Sequence, residues 1–408
     1  MMHPIIVKIK EINMKIIISG TWTNSILCLI LPLIFIKCVA QTGTDRNQIQ
    51  IIDTTEFYDN AHHWYDINDE MKIISPNSDQ KKYAASDIEN IADNILLFQK
   101  SNGGWPKNYD MQAVLTDDQK KAVLAAKNDL NTTFDNGATH SQLNYLAKAY
   151  SITKKEKYKE AFLQGIHFVL SAQYKNGGWP QYYPDLSGYR KYITFNDGAM
   201  IGIMNVLRKI INRTNEYSFI EDTMYANIKA AYNKGIECIL NCQIIDNGEL
   251  TAWCQQHDNV DFHPQNARSF ELASITNGES ASIVKFLMSI NNPNERIIKA
   301  VTSAIKWFED SRIYGMRVEM IKSDKTDYIY HSTDHDVIVV ADAQAKPIWA
   351  RFYELGTRKP LFCNRDGKVV YSLSEVERER RTGYAWYVYD PQEILNLYPA
   401  WTKKWVKE

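Results

Sequence analysis

The 408-residue sequence predicts a mainly α fold, an (α/α) toroid of about three repeated helical hairpins. Three observations predict it. Apolar residues recur at helical spacing in about eight segments, and no long alternating strand is found. A Gly-Gly-Trp-Pro turn, with the residues around it, occurs twice and decays in a third copy.

The chain opens with Lys8, Lys10 and Lys15 ahead of an apolar run from Ile26 to Ile36, then Cys38-Val39-Ala40. A basic stretch, a short apolar stretch and small residues are the pattern of an export signal over residues 1–40, cut after Ala40. An uncleaved anchor is the alternative, although the run is shorter than the ~20 apolar residues that span a bilayer. The expected location is secreted or periplasmic, with no membrane attachment in the mature form. Removing 1–40, with its four Lys and one Glu, takes the net charge from −1 to −4. That balance excludes a nucleic-acid binder. Cys238, Cys242, Cys254 and Cys363 remain. They lack metal-finger spacing and are expected as buried small residues.

Residues 41–85 are polar and poorly periodic, a lead-in of loops and turns. Ser86-Asp87-Ile88-Glu89 reads as a capping box that opens the main domain, residues 86–408. Behind it Ile88, Ile91, Ile95 and Phe98 mark the first helix. Later faces are marked by Leu143–Tyr150, Phe162–Leu170, Met200–Leu207 and Ile228–Leu240.

Gln99 precedes Asn102-Gly103-Gly104-Trp105-Pro106, and Gln173 precedes Asn176-Gly177-Gly178-Trp179-Pro180. Downstream stand Thr133-Phe134-Asp135-Asn136-Gly137-Ala138 and Thr194-Phe195-Asn196-Asp197-Gly198-Ala199. The third copy runs from Gln243 through Trp253 to Asn277-Gly278-Glu279, after which the repeat breaks. Helical hairpins repeated in this way close into a toroid, with an open solenoid as the alternative.

Equivalent turns gather at one end of a toroid, so Asp135, Asp197 and Glu279 should converge. Singly, each is an N-cap candidate. Together they describe an all-oxygen site suited to Ca²⁺, or an acid–base carboxylate pair. Arg268, Arg351 and Arg365 stand among aromatic and apolar residues, where a guanidinium needs an anion. That anion is either a ligand or an internal partner such as Glu271, Glu354 or Asp366. Glu377-Arg378-Glu379-Arg380-Arg381 reads as a solvated helix face. His331 and His335, near Asp334 and Asp336, read as a polar loop. Neither nucleotide glycine fingerprint, HExxH nor GxSxG occurs.

The strings 102–106, 134–138, 195–199, 251–258, 264–272, 351–355 and 364–367 resemble the family 10 polysaccharide lyases, which are pectate lyases, over roughly residues 85–395. The resemblance implies an irregular companion layer beside the toroid, with a cleft between them. It also implies a Ca²⁺-dependent β-elimination on polygalacturonate or pectin, giving 4,5-unsaturated oligogalacturonates. Carried over by motif, Asp135 and Asp197 match the calcium and substrate site, and Arg268 the proposed base. Arg351 and Arg365 match carboxylate binders, and Asn136 matches by position at the substrate. A monomer is expected. Two other readings stand beside it: a toroid glycoside hydrolase using Asp135 and Asp197, and a carbohydrate-binding protein with Trp105, Trp179 and Trp253 as platform.

Overall fold

The computed structural model describes residues 50–68 and 71–406, so the expected export signal lies outside the described residues. These residues hold eleven α-helices: α1 (Tyr58–Asp66), α2 (Ile88–Phe98), α3 (Asp117–Ala125), α4 (His140–Thr153), α5 (Glu156–Ala172), α6 (Ala199–Ile211), α7 (Asp222–Asn241), α8 (Gly278–Met288), α9 (Glu295–Asp310), α10 (Arg378–Thr382) and α11 (Asp390–Trp405). None is long and apolar enough to cross a membrane.

The repeat has four units, one more than the sequence showed. Each begins with a helix whose end is closed by a buried tryptophan. The indole N–H of Trp105 donates to the Ile95 carbonyl at 2.8 Å, that of Trp179 to Val169 at 2.8 Å, and that of Trp253 to Ile239 at 2.7 Å. Trp349 does the same to Phe308 at 2.8 Å. Carbonyls run short of partners in a last helical turn, and the indoles supply donors there, although the Ile95 carbonyl also accepts from the Gln99 N–H. The tryptophan's own carbonyl then accepts from a strand residue: Thr133, Thr194 and Thr276 at 3.0, 3.1 and 2.8 Å. In the fourth unit Trp349 pairs with Val388. A second helix follows each time. The result is two rows, α2–α5–α7–α9 and α4–α6–α8–α11, packed on one another as an (α/α) toroid.

All four tryptophans are fully buried, which removes the carbohydrate platform. The four cysteines are buried and unpaired, as expected.

Three glutamines tie the units in series. Gln99 donates to Gly103 in its own turn and to Ala161 in α5, Gln173 to Gly177 and to Ala231 in α7, and Gln243 to Thr251 and to Ala300 in α9. The turns need glycine for two reasons. Gly103 and Gly177 have φ of 91° and 96°, and a Cβ at either would meet the backbone carbonyl of Gln164 or Lys234. Gly177→Ala is therefore expected to destabilise by about 2–5 kcal/mol, read as a lowered denaturation midpoint. A change within experimental error would contradict this packing.

The fourth copy escaped notice because Trp349-Ala350-Arg351 has lost the Gly-Gly and sits inside long insertions. Those insertions, residues 256–274 in the third unit and 312–348 and 352–386 in the fourth, build the companion layer. It has its own small core of Phe270, Phe352, Leu361, Phe362 and Trp386. It also carries a long antiparallel hairpin, Met316–Asp327 against Ser332–Ala341. That hairpin overturns the expectation of no long strand. Met316-Arg317-Val318-Glu319-Met320 does alternate, but the alternation stops at Ile321, Val337–Val340 form an unbroken apolar run, and neither face of the hairpin is well buried.

Two local expectations also change. The lead-in contains α1, with Asn60 and Trp64 buried. At α2 the side chain of Asp87 accepts from the Ala84 N–H at 2.9 Å, and no capping box forms.

Candidate active site

Equivalent residues of the four units converge. The residue two after each tryptophan is Lys107, Gln181, Gln255 or Arg351, and each points its side chain at a polar turn. Lys107 Nζ is 2.6 Å from Asp135 Oδ2, and Gln181 Nε2 donates to Asp135 Oδ1 at 3.0 Å. Gln255 Nε2 donates to Asn196 Oδ1 and Glu279 Oε1, both at 2.9 Å. Arg351 Nη2 donates to the same two oxygens at 3.1 and 2.6 Å. The turns Asp135–Gly137 and Asn196–Gly198 pack together, and α8, with Glu279, packs on the second.

In both turns the middle residue is left-handed: φ is 50° at Asn136 and 48° at Asp197. Asp135 is thus the structural equivalent of Asn196, and Asn136 of Asp197. Neither aspartate caps its following helix. Asn136 is buried, and its amide donates to Asn108 Oδ1 at 3.0 Å. It holds the turn and presents no surface to a substrate. Asp197 faces solvent, and its one hydrogen bond is accepted from Asn196 Nδ2 at 2.7 Å.

The two aspartates titrate in opposite directions. Burial works against ionisation of Asp135, but the Lys107 ammonium and the hydrogen bonds from Lys107 and Gln181 hold it below the usual carboxylate range. Asp197 is pushed up to about 8, first by desolvation and then by Asp135, against the pull of Arg351 and Arg268. A third carboxylate acts on it from the lead-in: Asp59 of α1, itself raised by burial and by Asp135. Sequence reading missed Asp59, since α1 has only Phe57 and Trp64 to signal a buried face.

Arg268 is bidentate on Glu271, at 2.7 Å from Nε and 2.6 Å from Nη2. Tyr384 completes that carboxylate with a hydroxyl hydrogen bond at 2.8 Å. Burial would lower the pKa of Arg268, yet the Glu271 carboxylate raises it well above its ordinary value. Among the described residues no acceptor meets Nη1. The side chain is 44% exposed, yet desolvation is the largest influence on it, as on Asp197.

Each arginine has an internal acid partner, though two differ from those expected: Arg351 takes Glu279, and Arg365 takes Glu379 at 3.1 and 2.7 Å. Glu379 also accepts two hydrogen bonds from the Nε/Nη2 edge of Arg380, which is buried. Burial opposes ionisation of Glu379, but its hydrogen bonds to the two guanidiniums bring it down to about 2. The run 377–381 therefore lies largely in α10 beside Arg365 and is not a solvated face. Its signal was the aromatic stretch Tyr384-Ala385-Trp386 directly after it. Aromatic rings separate the cations. Arg268 and Arg380 lie 4.9 and 4.7 Å from the Phe270 centroid, and Arg351 lies 4.5 Å from that of Tyr384.

The pectic acid lyase family model matches residues 99–395. A mutant of a family 10 polysaccharide lyase from Cellvibrio cellulosa, in complex with trigalacturonic acid, superposes with a TM-score of 0.67 and 31% identity, covering 79% of this chain and 93% of that one. Another structure of a family 10 polysaccharide lyase from Cellvibrio cellulosa gives 0.66 and 31%, covering 77% and 92%. No significant match is found among curated proteins. By the extent of the family match and the shared toroid, this chain belongs to the pectic acid lyase family and is a pectate lyase.

Proposed function

We propose that the protein cleaves polygalacturonate by β-elimination, with Arg268 as proton acceptor and Arg351 and Arg365 as carboxylate binders. One observation carries the reading: the Asp135 and Asp197 turns pack together, and Arg351 reaches Asn196 and Glu279 beside them, with Arg268 within electrostatic reach of Asp197. The trigalacturonic acid held by the solved relative supports the substrate class.

The C5 proton of a galacturonate is weakly acidic, and its removal builds negative charge on the adjacent carboxylate. Arg351 is held firmly by Glu279 and can meet that charge as it develops. Arg268 is anchored by its Nε/Nη2 edge, which leaves Nη1 uncommitted among the described residues. It can accept a proton only in its neutral form, which Glu271 disfavours. Activity should therefore climb with pH through the alkaline range, since an unperturbed guanidinium has a pKa above ~12. A flat alkaline profile would place the base elsewhere.

The residues fit a calcium ion in part. Asp197 is an exposed carboxylate that, among the described residues, makes no salt bridge, Arg351 and Arg268 acting on it from farther off. Asp135 is already held by Lys107. Among the described residues no group of three His, Cys, Asp or Glu side chains is arranged to hold a metal. Ca²⁺ takes six to eight oxygens, so substrate carboxylates and water would complete a site anchored at Asp197 beside Asp135. When bound, the cation would stabilise charge on the uronate carboxylate. Polygalacturonate cleavage, followed by the ultraviolet absorbance of the unsaturated product, should stop in excess chelator and return with Ca²⁺. Full activity in chelator would remove the metal.

The opposed titration of Asp135 and Asp197 is also what an acid–base pair of a hydrolase would show. The same assay separates them, because hydrolysis yields no unsaturated product.

Arg351→Ala and Arg365→Ala should each raise KM by about 10–100-fold, the worth of a charged hydrogen bond. Unchanged KM in both would deny them a role in binding.

A further inference from the structure

The two faces of α10 do different work. Inward, Glu379 pairs with Arg365 and is itself held by Arg380. Outward, Arg378 and Arg381 grip the long hairpin. Arg378 donates to the carbonyls of Asp324 at 2.7 Å and His335 at 3.0 Å, and to Thr326 Oγ1 at 3.1 Å. Arg381 is bidentate on Asp336, at 2.8 and 2.7 Å. The hairpin is thus fastened to the arginine wall, and its tip, Tyr328–His331, reaches beyond it.

The tip touches both walls of the cleft. On the arginine side, the Tyr330 ring centroid lies 4.5 Å from the Arg365 guanidinium, and His331 Nε2 is 3.2 Å from Thr382 Oγ1. On the other side, two carbonyls of the tip accept from Asn68. Its backbone N–H donates to Tyr330 at 2.9 Å and its Nδ2 to Ile329 at 3.1 Å. Asn68 follows α1, which is docked on the Asp135 turn by a 2.7 Å hydrogen bond from Asn60 Nδ2 to the Asn136 carbonyl.

We propose that this tip is a strap that ends the groove beside Arg365, with Tyr330 and Arg365 forming a terminal sugar position. The enzyme then releases short products of narrow length from one end of polygalacturonate. The inference rests on the reading of the cleft as the polygalacturonate site. A polysaccharide in an open groove continues past both ends, whereas here the hairpin tip beside Arg365 is hydrogen-bonded across to Asn68 of the lead-in. The Tyr330 ring is 42% exposed. An aromatic face beside a guanidinium suits the apolar face and the carboxylate of one uronate ring.

The test compares products with viscosity. Wild-type enzyme should give short, uniform unsaturated products from the start, with viscosity falling slowly per bond cleaved. A variant with Tyr328–His331 replaced by Asn-Gly, a two-residue turn that retains the Asp327–Ser332 pair, should give a broad ladder and a steep fall in viscosity. A broad ladder from wild type, or an unchanged profile in a folded variant, overturns the strap. Tyr330→Ala keeps the main chain. It should raise KM for trigalacturonate while leaving kcat nearly unchanged, and an unmoved KM overturns the terminal sugar position. Absence of any unsaturated product from wild type would instead count against the activity.

Discussion

Arg268→Ala is expected to lower kcat by about 10²–10⁴-fold, the usual worth of a general base, with only a modest change in KM. The anchor explains the split. Nε and Nη2 are committed to Glu271, so ground-state substrate would meet at most one edge of the guanidinium. Arg268→Lys restores a nitrogen with a lower reference pKa, ~10.4, but cannot reproduce the two-pronged pair and shifts the nitrogen's position. It should recover part of the rate and move the alkaline limb of the pH profile to lower pH. Near-normal turnover in Arg268→Ala, or a loss confined to KM, would make Arg268 another anion clamp.

Asp197→Asn should lower activity by about 10²-fold or more, as expected when a preorganised charge at the reacting centre is lost. Its effect on stability should have the opposite sign. The carboxyl is raised from 3.8 to about 8 in the folded state, so its ionisation opposes folding. The penalty is absent below pH ~4, grows as pH rises and is complete above about 8. Without Ca²⁺, Asp197→Asn should melt higher than wild type at pH 8–9, and the difference should vanish at low pH. Added Ca²⁺ should raise the melting temperature of wild type and leave that of the variant unmoved. A calcium shift of equal size in both would take the metal away from Asp197. Asp135→Ala differs, because it removes the carboxylate paired with Lys107 inside the fold. Breaking a buried pair costs about 3–5 kcal/mol, so both stability and activity should fall.

The toroid was legible wherever the chain repeats its own chemistry. Gly103-Gly104-Trp105 and Gly177-Gly178-Trp179 announced themselves because a positive φ and a close carbonyl leave only glycine. Trp349 did not, since its turn has other contacts and no such glycine. Asp135 and Asp197 were found because they recur in equivalent turns of the repeat, and Arg268 and Arg351 because charged groups amid apolar residues are unusual. Asp59 and Glu379 were not: Asp59 acts on groups far along the chain, and Glu379 sits in a run of charges that reads as solvated. Asn136 shared a motif with Asp197, yet the same left-handed position turns one side chain inward and the other to solvent.

The glutamines at 99, 173 and 243 have a consequence for how the molecule comes apart. Each joins the end of one helix to the body of the next in the row α2–α5–α7–α9, through carbonyls that otherwise lie buried. Pulling one helix away breaks a bond in its neighbour's keeping as well as its own. Repeat proteins commonly fray from an end, unit by unit. Here the amide protons of α5, α7 and α9 should exchange with solvent together, at one rate set by a shared opening. Gln173→Ala, cutting the middle link, should split that block in two, with α2 and α5 exchanging ahead of α7 and α9.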